Sequence, residues 1–368
     1  MSALALLAWL YLALFHGGFW GGFWRDGPEL APARPASLPA VDIIVPARNE
    51  AESIAPVIAS LLAQDYPGPF RILLVDDAST DATMARAPAD PGLVAIPARP
   101  RPRGWSGKVW AMAEGLARAE APLLLFTDAD ILHDPRHLST LVAKAEAEGL
   151  DLVSEMVALR CVSLAERALV PAFVHFFRLL YPFARVNDPL SATAAAAGGT
   201  MLVRARALAR IGGMAAIAPA LIDDVALARA IKRGGRVWLG LSGLARSLRP
   251  YPHLGDLWRM IARTAFVQLR RSWALLILAE AGLGGLFLVP PLEAFLGCGL
   301  ARLSGLAAWG LMGATYLPML RRYARSPLWA PALPLVALFY MAATLGSALD
   351  HARGRGAAWK SRAYGAAP

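Results

Sequence analysis

Residues 123–130 read Leu-Leu-Leu-Phe-Thr-Asp-Ala-Asp, an apolar run that ends in two carboxylates. The apolar part has the length and composition of a buried strand. Strand side chains alternate between faces, so Asp128 and Asp130 project in the same direction or lie on the turn just beyond the strand. Two carboxylates this close repel each other unless a cation lies between them, and a hard divalent ion that also holds a diphosphate satisfies both. A helix cap with a solvated turn is the alternative interpretation.

Three further short apolar runs precede this strand, and helical segments separate them. The strands are predicted at 41–46, 71–77 and 92–97, and the helices at 51–64 and 107–119. This alternation predicts an α/β domain with a mostly parallel sheet and helices on both faces. Because the carboxyl ends of parallel strands meet at one sheet edge, the polar residues that follow three of the strands are expected side by side. They are Arg48, Asn49 and Glu50, then Asp76 and Asp77, then Asp128 and Asp130.

Nucleotide contacts in this domain have to come from side chains, since the chain has no glycine-rich dinucleotide motif and no P-loop. Asp77 is expected to accept hydrogen bonds from a base edge, and Glu50 from the ribose or the base. Lys108 lies at a predicted helix start, where the helix dipole disfavours a cation, and this favours a phosphate partner over a solvated lysine.

Two features further along the chain complete the candidate site. Gly198 and Gly199 allow the backbone to approach a ligand closely. Asp223 and Asp224 fall in the first turn of a helix predicted to continue to Lys232. Helix capping accounts for one of the two acids, whereas the other, facing the cleft, is a candidate general base for a weakly nucleophilic sugar-acceptor hydroxyl.

Apolar residues are concentrated towards the two ends of the chain. The 368 residues are 57% hydrophobic, and their mean hydropathy is +0.45. Segments 1–24, 304–320 and 326–349 carry no charge, and 274–300 carries two, which predicts transmembrane helices. We predict a transmembrane anchor at 1–24, a linker at 25–40, a globular domain at 41–250, an amphipathic interfacial helix at 251–273, a C-terminal bundle of about three spans at 274–350 and a basic tail at 351–368.

The net charge of +10 lies largely next to these spans, as expected for contact with an anionic leaflet rather than with nucleic acid. Arg25 and the arginine-rich domain after it favour a multi-pass protein of a bacterial-type cytoplasmic membrane, with the domain facing the cytoplasm. The orientation of the C-terminal spans stays open. Basic clusters at 321–325 and 353–362 flank a single span, and Pro290-Pro291 makes 274–300 a candidate re-entrant segment.

Five motifs in order resemble the family 2 inverting glycosyltransferases of the GT-A fold, over about 41–273. They are Pro46-x-x-Asn49-Glu50, Val75-Asp-Asp-x-Ser-x-Asp81, Gly107-Lys108, Asp128-x-Asp130 and Asp223-Asp224. Further details resemble the hopanoid-associated branch: Tyr181-Pro-Phe183, Asn187-Asp-Pro189, Ala195 to Gly199, Leu221 to Asp224 and Val237 to Gly240.

The resemblance implies a role for each motif. Asp77 reads the donor base, and the segment from Pro46 through Asn49 to Glu50 cradles the nucleoside. Asp130 binds Mg²⁺ or Mn²⁺ on the diphosphate, with Asp128 towards the ribose or the metal. Asp224 matches the base of the usual Glu-Asp pair, and Asp223 replaces the glutamate. Gly198, Gly199, Gln268 and Arg271 lie on the acceptor and diphosphate side, although Trp273 comes one place late for the Gln-x-x-Arg-Trp motif of membrane synthases.

The implied activity is transfer of one sugar from a nucleotide-diphosphate sugar, foremost a UDP-sugar, to a membrane lipid alcohol such as a hopanoid. One alternative is a catalytically silent scaffold that binds lipid or partner enzymes. A processive polysaccharide synthase is another, which needs more spans and an intact aromatic motif. A transporter is disfavoured because the spans carry almost no polar residues.

Overall fold

The computed structural model describes Ser2–His16 and Pro28–Gly354, together with the backbone of two short paired strands, Ala357–Trp359 and Arg362–Tyr364. The described residues form two compact units. The sheet unit comprises 28–160 and 183–249. The helical unit comprises 161–182, 250–368 and the described part of 1–27.

The sheet unit confirms the predicted α/β class. Its eight strands are β1 Val41–Ala47, β2 Phe70–Asp76, β3 Leu93–Pro97, β4 Leu123–Thr127, β5 Ile131–His133, β6 Leu152–Ala158, β7 Thr200–Arg204 and β8 Val237–Ser247, in the order β3-β2-β1-β4-β7-β6-β8-β5. Strands β3, β2, β1 and β4 are parallel, as their connecting helices require, while β7 is antiparallel to both β4 and β6. The sheet is therefore mixed, with its parallel half formed by the four strands predicted from the sequence.

Helices pack on both faces of the parallel half because alternate strand residues are apolar on both sides. Ile43 belongs to a buried cluster with helices Ile54–Leu62 and His137–Glu148. Ile44 points the other way, where Gly115 of helix Gly107–Leu116 approaches so closely that a Cβ there would lie 2.5 Å from the Ile44 side chain. The remaining helices of this unit are Thr83–Arg86, Phe183–Asn187, Ala205–Arg210, the 3₁₀ segment Gly213–Ile217 and Asp223–Lys232.

Three helical runs of the helical unit are long and apolar enough to cross a membrane, as predicted for the C-terminal segment: Trp273–Leu296, Gly299–Arg322 and Pro327–Ala352. The first contains a π-helical segment at Gly284–Leu288, and the third begins with a 3₁₀ turn at Pro327–Ala332. Near the N-terminus the described residues hold a 14-residue helix, Ser2–Phe15, which is short for a crossing. Residues 17–24 of the predicted anchor at 1–24 lie outside the described residues, as do 355–356, 360–361 and 365–368 of the predicted tail at 351–368.

Helix Leu164–Leu180 also belongs to the helical unit, although the sequence analysis placed it within the globular domain at 41–250. Its N-terminus explains the grouping. The Glu166 carboxylate accepts hydrogen bonds from the backbone of Ser163 at 2.8 Å and of Tyr251 at 2.7 Å, and the Ser163 hydroxyl donates to the Tyr251 carbonyl at 3.0 Å. The start of this helix is thereby tied to the segment that leads into the C-terminal helices.

The region 251–273 differs from the single amphipathic helix expected from its pattern. The structure has two short helices, Leu254–Ala262 and Ala265–Gln268. The break has a tertiary cause, because the hydroxyl of Ser347, from a distant helix, inserts between them, donating to the Ala262 carbonyl and accepting from the Phe266 N–H. Arg270 and Arg271 then adopt left-handed backbone angles, with φ of 55° and 56°, before the next helix begins at Trp273.

Candidate active site

The carboxyl ends of β2, β1 and β4 lie next to one another, and the polar segments predicted from the sequence leave the sheet at this edge. Ala47 pairs with Asp76 across β1 and β2, and Ile44 pairs with Phe126 across β1 and β4. Strand β7 starts at the same edge, because Thr200 pairs with Thr127. The Gly198–Gly199 segment, which precedes β7, is thus brought beside the turn that holds Asp128.

Arg249, which sequence reasoning missed, joins two of the predicted acids. It follows β8, and its Nε atom lies 2.5 Å from Asp130 Oδ2 while one terminal nitrogen lies 2.7 Å from Glu50 Oε1. Burial raises the pKa of Asp130, and so do the nearby charges of Asp128 and Glu50, against the lowering effect of Arg249. Asp130, Asp128 and Glu50 therefore place negative charges close together, and a cation beside Asp130 stabilises its ionised carboxylate.

Lys108 joins the other acids of the site. Its Nζ atom lies 2.8 Å from Asp128 Oδ1 and 3.2 Å from Asp223 Oδ2. Burial disfavours the ammonium, but Asp128, Asp223 and Asp224 outweigh burial and raise the pKa of Lys108. A fixed positive charge thus bridges the turn after β4 and the start of helix Asp223–Lys232. The phosphate partner predicted for Lys108 stays a prediction.

Asp224 has the protonation behaviour of a general base. Its Oδ2 accepts the Gly198 N–H at 2.8 Å, and its Oδ1 accepts the Val225 N–H at 2.7 Å. Burial and then the neighbouring Asp223 raise the pKa of Asp224 to about 7, although Lys108 and the two backbone donors act in the opposite direction. A carboxylate with a pKa near neutrality both accepts and releases a proton readily at physiological pH.

Gly198 has a geometric reason to be glycine. A Cβ at this position would lie 3.1 Å from Asp224 Oδ2 and 3.2 Å from Lys108 Nζ. The backbone at Gly198 therefore lies close to the side chains of Asp224 and Lys108, where a larger residue would crowd them. Gly199 contributes differently, since its carbonyl accepts from the Asp128 N–H at 3.2 Å and fixes the turn after β4.

The loops after β1 and β2 support each other. Arg48 donates to the carbonyls of Asp77 and Ala78, and its guanidinium lies 4.0 Å from the Asp77 carboxylate, which is buried. Asn49 has a φ of 51°, and its side-chain oxygen accepts the Thr80 N–H at 2.7 Å. Pro46 pairs with Val75 within the sheet. These contacts hold the loops after β1 and β2 together, so that Pro46, Asn49 and Asp77 lie close to one another at the carboxyl ends of the two strands.

Gln268 and Arg271 belong to the helical unit and not to the sheet unit. Gln268 ends its short helix and donates through Nε2 to the Tyr181 hydroxyl. Arg271 lies in the left-handed turn beyond that helix, so the two residues do not share the helical face that their spacing predicts.

The acids of this edge fit a divalent cation that is shared with a substrate. Among the described residues, no group of three acidic, histidine or cysteine side chains is arranged to hold a metal ion by itself. Mg²⁺ commonly takes one or two carboxylates and completes its coordination with phosphate oxygens and water. The oxygen donors of Asp128 and Asp130, with the crowded negative charge at Asp130, suit that mode of binding.

Comparison with known proteins agrees with this geometry. Residues 42–212 match the family described as glycosyl transferase family 2. The chain is 32% identical over 117 residues to the dodecaprenyl-phosphate galacturonate synthase of Rhizobium johnstonii, covering 31% of this chain and 34% of that relative. It is 34% identical over 124 residues to an undecaprenyl-phosphate 4-deoxy-4-formamido-L-arabinose transferase of Enterobacter, covering 31% and 35%. The matched region thus spans about a third of the length of these curated relatives.

One solved structure resembles almost the whole chain. It is the mannosyltransferase of Pyrobaculum calidifontis in complex with GDP-mannose and Mn²⁺, with a TM-score of 0.58 at 20% identity, covering 95% of this chain and 99% of that one. At this identity the likeness establishes the fold, a GT-A-like sheet domain.

Proposed function

We propose that the protein transfers one sugar from a nucleotide-diphosphate sugar to a membrane lipid, on the premise that residues 42–212, which match glycosyl transferase family 2, act as that family's domain does. The observation that carries the proposal is the convergence of Asp128, Asp223 and Asp224 around Lys108, beside the Asp130–Arg249 pair, at one sheet edge. A base and two fixed cations in one cleft match what displacement of a diphosphate requires.

Asp224 takes the proton of the acceptor hydroxyl while the acceptor oxygen forms a bond to the anomeric carbon. The bond from that carbon to the diphosphate oxygen breaks on the opposite side, so the configuration inverts and the nucleoside diphosphate leaves with the electron pair. Positioning of the two reactants supplies much of the rate, because it replaces a collision with an intramolecular encounter.

The leaving diphosphate develops negative charge, which the cationic side chains of the site stabilise. Lys108 is a fixed charge next to Asp128, and Arg249 presents a planar guanidinium suited to two oxygens. Mg²⁺ or Mn²⁺ would be held by Asp130 with Asp128 and would supply Lewis-acid stabilisation of the diphosphate. The mannosyltransferase of similar fold binds Mn²⁺ and supports this assignment.

On the donor side, Asp77 and the Pro46–Glu50 segment are assigned to the nucleoside. Arg48 and Asn49 hold the loops after β1 and β2 together, which fixes the position of the buried Asp77 carboxylate. Glu50 is held by Arg249 on one side and by the Ser53 hydroxyl at 3.1 Å on the other. UDP-sugars are the first donors to try.

The acceptor is assigned to the lipid phase because three apolar helices accompany the domain. Gly198 and Gly199, next to Asp224, are assigned to the acceptor side, and so are Gln268 and Arg271. Two acceptor chemistries compete: a lipid alcohol such as a hopanoid, from the sequence resemblance, and a polyprenyl phosphate, from the names of the relatives.

The need for Asp224 as a base differs between the alcohol and the phosphate acceptor. An alcohol has to lose its proton during attack, whereas a phosphate monoester, with a second pKa of about 6, is already largely ionised at neutral pH. Loss of the base is therefore costly only with the alcohol. The pKa of about 7 for Asp224 favours the alcohol, since it prepares the carboxylate to accept a proton.

The test measures transfer from radiolabelled UDP-sugars to lipid extracts by the full chain in nanodiscs. We expect Asp224→Asn to slow transfer to an alcohol by about 10²–10⁴-fold. Asp130→Ala should lose the transfer that added Mg²⁺ or Mn²⁺ supports. Asp90→Asn is the matched control: Asp90 accepts the Gly92 N–H at 2.7 Å just before β3, at the opposite sheet edge. Full transfer by both site variants would refute the proposal, and a loss confined to Asp130→Ala would favour a phosphate acceptor.

A further inference from the structure

A buried chain of polar side chains runs behind the candidate site and is not used by the reaction as proposed. Its members are Glu155 on β6, His137 at the start of helix His137–Glu148, His133 on β5 and Thr127 at the end of β4, all of which are buried. Burying four polar groups is costly unless each is hydrogen-bonded, so their contacts need an explanation.

The contacts form one continuous line. His137 Nε2 lies 2.5 Å from Glu155 Oε1, and His137 Nδ1 lies 2.9 Å from His133 Nδ1. His133 Nε2 lies 3.1 Å from the Thr127 hydroxyl, which lies 3.0 Å from the Gly199 carbonyl oxygen. The line therefore connects a buried carboxyl group to the glycine segment of the site.

The direction of the protons along this line follows from its last member. A carbonyl oxygen only accepts, so the Thr127 hydroxyl donates to Gly199 and accepts from His133 Nε2–H. Burial and the adjacent His137 hold the pKa of His133 well below its usual range, so His133 is neutral and its Nδ1 accepts from His137 Nδ1–H. The remaining hydrogen bond of the line joins His137 Nε2 to Glu155 Oε1.

The Gly198–Gly199 segment, at the end of the line, is hydrogen-bonded to both Asp128 and Asp224. The Gly199 carbonyl accepts from the Thr127 hydroxyl and also from the Asp128 N–H, at 3.2 Å. The preceding Gly198 N–H donates to Asp224 at 2.8 Å. A shift of the Gly198–Gly199 segment therefore moves Asp128 and Asp224 relative to each other.

We propose that Glu155, His137, His133 and Thr127 are positioning residues, whose hydrogen-bonded chain fixes the Gly198–Gly199 segment so that Asp128 and Asp224 keep the spacing that sugar transfer requires. The inference rests on the proposed function for its kinetic consequence only. The proton order within the chain stands on the contacts themselves and has its own readout.

The kinetic test compares three variants of the full chain in nanodiscs. Thr127→Val keeps the shape and removes the hydroxyl, and we expect kcat to fall about 10- to 100-fold with little change in the donor KM. Thr127→Ser keeps the hydroxyl and should restore kcat. Thr140→Val is the matched control, because Thr140 is equally buried but its hydroxyl donates to the Arg136 carbonyl and accepts from the Ala33 N–H, and so makes no hydrogen bond to a member of the chain. Equal kcat values for Thr127→Val and Thr140→Val would overturn the inference.

The second readout is the ¹⁵N spectrum of protein labelled at its six histidines, assigned with His133→Gln and His137→Gln. We expect His133 to be neutral with the proton on Nε2, and Thr127→Val to perturb that resonance. A His133 proton on Nδ1 would overturn the inference whether or not the protein transfers sugar. Failure of the wild type to transfer any sugar, with the expected spectrum, counts against the proposed function alone.

Discussion

At the scale of single residues, the site depends on how burial and charge are divided between two adjacent aspartates. Asp223 is buried and pairs with Lys108, while the half-buried Asp224 accepts two backbone N–H groups and lies beside the negative charge of Asp223. The same residue type at neighbouring positions thus acquires two roles, one ionic and one suited to proton transfer.

This division predicts the pH dependence of the reaction. The pKa of Asp224 is raised to about 7, so below that pH most molecules carry the protonated carboxyl, which cannot take the acceptor proton. We expect kcat/KM for an alcohol acceptor to rise with pH and level off above about pH 7. Initial rates across the neutral range, with nucleotide binding measured at each pH, check the prediction. A flat profile over this range would contradict the assignment of Asp224 as the base.

At this scale, sequence reasoning identified the acids and Lys108 but not Arg249. Asp128, Asp130, Asp223 and Asp224 stand out because each follows or begins an apolar element. Arg249 does not stand out, since it lies 199 positions from Glu50, and the pairing of β8 with β5 brings it beside Asp130. Contacts between distant segments carry no local sequence signal, and the buried histidine chain escaped prediction for the same reason.

At the scale of elements, local rules predicted the parallel half of the sheet well and the helices after residue 250 poorly. Strands β1 to β4 are apolar runs with turn residues between them, so periodicity alone locates them. The break between helices Leu254–Ala262 and Ala265–Gln268 depends on Ser347, a residue from a distant helix, which no local pattern reveals. By contrast, the Pro290-Pro291 pair is accommodated in a helical run by the π-helical segment that precedes it.

The capping box at the start of helix Leu164–Leu180 is predicted to stabilise the protein. The Ser163 hydroxyl accepts the Glu166 N–H at 3.0 Å, and Ser163→Ala removes this cap as well as the bond to the Tyr251 carbonyl. We expect destabilisation by about 1 kcal/mol, seen as a lower midpoint of thermal unfolding. Ser163→Thr retains a capping hydroxyl and should unfold like the wild type. An unchanged midpoint in Ser163→Ala would show that the cap does not stabilise the protein.

At the scale of the whole molecule, a sheet unit with a polar cleft accompanies a unit with three apolar helical runs. The composition of the chain predicts this division, because charge and apolar character are separated along the sequence. The orientation in the membrane is not determined by composition, since the two basic clusters flank a single span.

Cysteine labelling tests the predicted orientation. Cys298 is exposed and lies between the candidate spans Trp273–Leu296 and Gly299–Arg322, whereas burial raises the pKa of Cys161 in the segment before helix Leu164–Leu180. If the sheet unit faces the cytoplasm and the first run crosses the membrane, an impermeant maleimide should modify Cys298 in spheroplasts. Cys298→Ser should abolish the labelling. Labelling of Cys298 only after lysis would indicate a re-entrant first run or the opposite orientation.

The stereochemistry of the product tests the central claim most directly, because it reports the bond made at the anomeric carbon. The glycolipid formed from an α-linked UDP-sugar is isolated, and its anomeric proton is assigned by NMR. In-line displacement with Asp224 as the base predicts a β-linked product. An α-linked product would contradict direct displacement at this site.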